Sequence, residues 1–347
     1  MALYGLRTRD AAGNVTLDTT VTPIRSLKMM TVTGNGSFEQ TFSIPEIKAQ
    51  SFVVVDALAD SGEYTWTPPA FWSAGSLRLR QPGTSTWQVM VLSQGGEPFS
   101  APGTYGFRAR NGDTLTQIDS INRVLSVHSS GGFSFGFMGP GNQQAWAEVT
   151  FPTAIKTTER PLVFLNAVNY MMVGNFYIRG APGNWTGFRV KAWNYAGHGS
   201  VANQPMQIKW FCASYQTFAS GAGQYGARVR DESGAVTFVT TANLALLNGQ
   251  PANNSFVVAG DPIANGQYYN ASYQMPWTGS FDDYVLANAL FSVTNVVQTT
   301  QPFRTNFGGF LPGNRNILQM YCENYDSINP LGVNGRTLFA SRPMKSL

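Results

Sequence analysis

Charge is scarce in this sequence. Asp, Glu, Lys and Arg together make up 12% of the 347 residues, about half the usual quarter. The net charge is +4, and the basic residues are scattered without a run or a nucleic-acid motif, so DNA or RNA is not an expected partner. Cysteine is nearly absent. Cys212 and Cys322 lie far apart with no CxxC spacing, which excludes a disulfide framework and predicts two buried free thiols. The two histidines, His128 and His198, are too few to build a metal site by themselves. No His, Cys, Asp and Glu set has ligand spacing either, and no metal or cofactor is expected.

Long apolar runs are missing too. Stretches such as residues 52–55 stop far short of a bilayer span, and Arg7 and Arg9 interrupt any signal-peptide core, so membrane insertion and export by a signal peptide are not expected. Catalytic signatures are equally thin. There is no nucleophile elbow. Carboxylate pairs such as Asp56 with Glu63, or Asp282 with Asp283, have no counterpart elsewhere in the chain. The glycine-rich stretches at residues 34–36 and 136–139 lack the helix of a phosphate cradle. An enzyme is not expected.

What is plentiful is glycine (36), phenylalanine (23), tyrosine (14) and small polar residues, the composition of a folded chain with a neutral surface rather than a disordered one. One phrase occurs three times: YGLRTRDAAGNVT from Tyr4, YGFRARNGDTLT from Tyr105 and YGARVRDESGAVT from Tyr225. Alternation puts Tyr4, Leu6 and Thr8 on one side of a strand and Gly5, Arg7 and Arg9 on the other. Gly13, Gly234 and the Asn111-Gly112 pair suit hairpin turns. The phrase therefore predicts three strand-turn-strand units.

Three further landmarks follow each copy in the same order. An alternating strand ends in proline at Pro45, Pro152 and Pro276. A fully apolar strand carries one polar residue, Asp56, Asn166 or Asn288, as buried central strands do. A Pro-Gly turn comes next, at Pro82-Gly83, Pro182-Gly183 and Pro312-Gly313, with another strand after it. Helix signals are almost absent. Residues 120–127 and 240–247 suit a helical turn or a strand equally. The expected fold is all-β: three tandem β-sandwich or small β-barrel domains related by internal repeat, at residues 1–104, 105–224 and 225–347.

Two kinds of side chain are candidates for contact with partners. The arginine pairs Arg7 and Arg9, Arg108 and Arg110, and Arg228 and Arg230 share one face of each hairpin. They are either solvated with local Asp partners or docking forks for a neighbour's carboxylates. Trp66, Trp72, Trp185 and Trp193 are either core anchors or rings that stack on sugars and fill partner pockets.

The opening Met1-Ala-Leu-Tyr4-Gly5-Leu-Arg7-Thr-Arg9-Asp10-Ala-Ala-Gly13-Asn14-Val15 resembles the start of small tail-associated proteins of tailed bacteriophages. In those proteins a similar basic hairpin begins a β domain of the tail tip, baseplate or fibre region. The resemblance implies a virion structural protein, made in the host cytoplasm and placed in the tail. Its expected role is a multi-domain β arm that holds tail fibres or contacts the host surface. Expected partners are other tail proteins, further copies in a trimer or a three- or sixfold arrangement, and a host-surface glycan or protein. It carries over no catalytic residue. The alternative is a carbohydrate-binding or adhesin-like module without catalysis.

Overall fold

The structure is a computed structural model that describes residues 6–9, 12–62, 65–93, 106–111, 114–136, 144–193, 205–216, 227–248, 257–258, 263–265, 268–295, 303–311, 313–324 and 336–343. Tyr4, Tyr105, Tyr225, Glu63, His198 and Pro312 lie outside the described residues. The chain is nearly all β, as its alternating apolar pattern predicts. No helix among the described residues is long and apolar enough to cross a membrane.

The first hairpin is β1 (Arg7–Arg9) and β2 (Val15–Asp18). It is followed by β3 (Arg25–Thr33), β4 (Glu39–Ser43), β5 (Phe52–Ala57), β6 (Trp66–Thr67), β7 (Ala70–Ser73), β8 (Ser76–Arg80) and β9 (Thr86–Ser93). The second is β10 (Gly106–Asn111) and β11 (Thr114–Asp119). After it come β12 (Ser126–Phe135), β13 (Gln144–Ile155), β14 (Leu162–Ala167), β15 (Met171–Ala181), β16 (Asn184–Trp193) and β17 (Met206–Ser214). The third is β18 (Arg228–Arg230) and β19 (Val236–Val239). Then follow β20 (Val257–Val258), β21 (Ile263–Asn265), β22 (Tyr268–Pro276), β23 (Tyr284–Leu286), the one-turn helix α1 (Ala287–Leu290), β24 (Val293–Asn295), β25 (Phe303–Leu311), β26 (Asn314–Asn324) and β27 (Phe339–Ala340).

Strand order follows one plan. The first segment has sheets β3-β9-β5 and β4-β8-β7; the second has β12-β17-β14 and β13-β16-β15. The third supplies β22-β26-β25 and the pair β23-β27. Sheets do not stop at the segment boundaries, however. β14 pairs with β23, and β15 pairs with β25 through Met171↔Phe310 to Gly174↔Phe307. Short β6 pairs in parallel with β24. One apolar core runs through all three segments, from Val54 and Trp87 through Phe164 and Phe211 to Leu286 and Phe310.

Two landmarks differ from their expected places. Gly183 (φ 81°) and Gly313 (φ 75°) turn the long hairpins β15–β16 and β25–β26, but Pro82-Gly83 lies one connection later, between β8 and β9. The corresponding hairpin of the first segment turns at Gly75 (φ 76°) instead. A type II-compatible dipeptide marks a turn and not which turn, so the landmark misaligns the strand after it. The apolar run around Asn288 ends as a strand at Leu286 and continues as α1. That turn carries Asn288 to three groups of other segments: its Oδ1 accepts from Val163 N (2.8 Å), and its Nδ2 donates to Pro161 O (3.0 Å) and Asp56 Oδ2 (3.3 Å).

Candidate functional site

The three segments meet in a ring. Ile24 N donates to Ala245 O (2.9 Å), Ala245 N to Leu125 O (2.9 Å) and Leu125 N to Ile24 O (2.8 Å). Around these, Ser26 N donates to Arg123 O (2.9 Å), Val127 N to Asn243 O (2.6 Å) and Leu247 N to Thr22 O (2.8 Å). Each segment gives to one neighbour and accepts from the other, so both sets close as a three-step cycle. Ile24, Leu125 and Ala245 each stand 20 residues after Tyr4, Tyr105 and Tyr225. The stretches whose pattern suited helix or strand equally are thus extended limbs of a pseudo-threefold junction. Apolar Ile, Leu and Ala fill its centre, where none is exposed, and every backbone group named above finds a partner, as burial demands.

Hairpins surround the ring and share a second apolar cluster. Val15 and Leu17, Ile118, and Phe238 with Val239 pack together with Val124, Leu244 and Leu246. Their outer sides carry arginines. Arg7 meets the buried carboxylate of Asp18, Nε to Oδ2 2.6 Å. Burial pushes the Asp18 carboxyl up, but hydrogen bonds from Thr20 and Arg7 outweigh it and hold it below its ordinary range. Arg9 donates to Gly13 O (2.6 Å), and Arg230 makes the same bond to Gly234 O (2.5 Å). Arg7, Arg9, Arg228 and Arg230 are all exposed. Arg108 and Arg110 lie on β10, and their side chains are outside the described residues.

Tryptophan divides differently. Trp72 and Trp185 are 5% and 0% exposed and bond backbone carbonyls, Trp72 Nε1 to Ser51 O (3.0 Å) and Trp185 Nε1 to Thr157 O (2.9 Å). These two are core anchors and present no ring to a partner, which corrects their candidacy as interface residues. Trp66 is half-buried, edge-on to Trp87 at 4.5 Å. Trp193 ends β16, its side chain outside the described residues.

Three aromatic groups carry cations near the surface; of their rings the sequence reading singles out Phe71 but not Trp146 or Phe281. On the outward face of β4, β8 and β7, Arg78 stands between Thr41 and Phe71, and Arg80 opposite Glu39. Arg80 bonds Glu39 Oε1 through Nε (3.0 Å) and Nη2 (2.9 Å) and lies 5.3 Å from the Phe71 ring centre. In the matching register of the second segment, Arg189 stands between Glu148 and Tyr177, and Lys191 opposite Trp146. The Arg189 guanidinium lies 4.5 Å and the Lys191 ammonium 5.2 Å from the Trp146 ring centre. Arg179 pairs with Glu148 on the same face. A third group surrounds Phe281, 55% exposed, with Arg315 at 4.3 Å and Lys209 at 6.0 Å. The available signal was period two: in Ser76-Leu-Arg-Leu-Arg80 and Phe188-Arg-Val-Lys-Ala192 the cations hold every second, outward position.

His128 Nε2 lies 2.6 Å from Ser214 Oγ, but Ser214 is 2% exposed and out of a substrate's reach. Burial brings the His128 imidazole down to about 4. Cys212 is a buried free thiol whose pKa burial pushes well up. Among the described residues no three His, Cys, Asp or Glu side chains gather as a metal site. No known family, curated protein or solved structure matches the chain.

Proposed function

We propose that the chain is a non-catalytic structural protein of a phage tail tip or baseplate, where it joins tail proteins or fibres and contacts the host surface. The observation that supports the reading is the closed ring. A single chain that gathers three like segments about one axis offers a threefold arrangement without needing three chains. Such a hub suits a position on a tail axis of three- or sixfold symmetry. In this reading the three segments form a junction about one axis, and copies of the chain would still assemble around the tail in a three- or sixfold arrangement. The hairpin arginines would face neighbouring subunits, where guanidinium forks match carboxylates.

Mass spectrometry and electron microscopy of particles from a host carrying the gene test this. The expected result is density for the chain on the tail axis, one copy per threefold position. Purified particles that lack the chain would end the reading. A second reading, an adhesin-like sugar-binding module, is favoured by the cation-flanked aromatic rings.

A further inference from the structure

We propose that the chain pairs with a second copy of itself along the free edge of β12, antiparallel about a twofold axis at Gly132. Only this edge is needed, and not the particle, so the contact and the tail reading can fail separately.

β12 stands at the end of its sheet. It pairs with β17 alone, in unbroken register from Ser129↔Cys212 to Phe135↔Met206. Side chains alternate along this run. Phe135 is buried and Phe133 meets Phe188 in the interior at 6.1 Å, so Ser130, Gly132 and Ser134 face outward. Gly131 lies on the inward side, with the Trp210 indole 3.2 Å from where a Cβ would stand. It is nevertheless exposed, as are Ser130 and Gly132 on either side of it. Water therefore reaches the strand through its edge and not only over its outer face. Every second residue of the run turns its N–H and C=O toward that edge.

The edge is unguarded. Natural sheets protect free edges with charge, proline or a covering element, because open ones join other strands. The other longer edge strands conform: β3 carries Lys28, β4 carries Glu39, and β13 carries Glu148 and Pro152. β5 is covered by α1, whose Asn288 bonds Asp56. No Asp, Glu, Lys, Arg or Pro occurs from Ser126 to Phe135. The contrast with β3 is the sharpest, since Ile24 and Leu125 hold the same place in the ring. Both strands are bulged at the same step, between Ser26 and Lys28 and between Val127 and Ser129. Ser129 thus stands where β3 has Lys28, which pairs with Glu46 at 2.9 Å.

The strand is also its own complement. With the axis through Gly132, Ser130 stands opposite Ser134 of the second copy, a pairing that lets the hydroxyls bond. Glycine meets glycine on the axis, so the backbones close with no side chain between them. On the inward side Phe133 covers Gly131 of the second copy, which has no side chain to fill that place. A foreign strand would use the backbone groups alone. The match of residues 130–134 to themselves favours a second copy.

Sedimentation of the full chain over a range of concentrations tests the proposal, and a monomer–dimer equilibrium is expected. The double variant Ser130→Lys, Ser134→Lys sets like charges opposite each other twice and should weaken the dimer by about tenfold or more. Ser130→Glu, Ser134→Glu should do the same. An equimolar mixture of the two variants should regain the dimer, because each ammonium then faces a carboxylate. That recovery also shows that both variants are folded, as their exposed positions lead one to expect. Three results overturn the proposal: a wild-type chain that stays monomeric at high micromolar concentration, an association that survives in both variants, or a mixture that associates no better than its components.

Discussion

Arg160 reaches Asp56 across the seam between the second and first segments, Nη1 to Oδ1 3.1 Å, with the arginine 2% and the aspartate 5% exposed. The guanidinium lies 5.3 Å from the Trp185 ring centre, and Asn288 of the third segment bonds the other carboxylate oxygen. One ion pair thus touches all three segments. Burial pushes the Asp56 carboxyl up by more than Arg160, Asn288 and the Ala57 N–H pull it down, so the pair is costly to hold in the core.

Removing one partner should therefore be severe. Arg160→Ala strands a buried carboxylate and should cost about 3–5 kcal/mol in urea unfolding. The double variant Asp56→Asn, Arg160→Met should recover much of that loss, because it leaves no ion in the core while the residue 56 amide oxygen can still accept from Asn288 Nδ2. Arg160 Nε and Nη2 have no partner among the described residues, so methionine leaves no bond of theirs unmade. A single-variant loss near zero would mean that water reaches the pair.

The ring and the shared sheets should make unfolding a single event. Fluorescence and circular dichroism are expected to report one coincident transition. Leu125→Ala, at the centre of the ring, should lower stability by about 2–5 kcal/mol. Three separated transitions, each with its own midpoint, would contradict the continuous core.

Trp185 and Arg230 should part company on substitution. Trp185→Ala empties a buried site and should cost about 3–5 kcal/mol. Arg230→Ala should leave the midpoint nearly unchanged, since an exposed guanidinium bonded to a turn carbonyl adds little. Equal losses would place the hairpin arginines in the core.

His128 should give stability a pH dependence near neutrality. Burial lowers its folded pKa to about 4 from 6.5. Between these values the unfolded chain binds more protons, so stability falls as pH drops from about 6.5 to 4 and levels off below. The drop should approach roughly 3 kcal/mol, and His128→Asn should flatten that part of the profile. A wild-type curve without a slope in this window would show that the imidazole is solvated.

Much of the architecture was legible, because alternation reports strands directly. Val54, Val163 and Val285 are buried, as their apolar runs predict; β14 and β23 lie inside their sheet, whereas β5 is an edge strand paired with β9 alone and is covered by the core. The junction was not legible. Ile24, Leu125 and Ala245 share a backbone pattern rather than a side-chain type, and hydrogen bonds between main chains leave little trace in residue identity. The turn at Pro82 misled because a turn dipeptide names a local conformation without its place in the order of strands. The cation-bearing faces were written plainly at Arg78, Arg80, Arg189 and Lys191. They become a surface only once β4, β13 and their partners are known to lie side by side.

The ring also sets a timetable for synthesis. Thr22 is synthesised long before its partner: its carbonyl waits for Leu247 N, some two-thirds of this sequence later. Until then the limbs at Ile24 and Leu125 stay an open pair, with the third side of the junction exposed. A nascent chain halted before residue 243 should carry a sticky apolar notch that chaperones bind, and one released after residue 247 should lose it. Translation speed through the third segment would then govern how much of the protein reaches its native form.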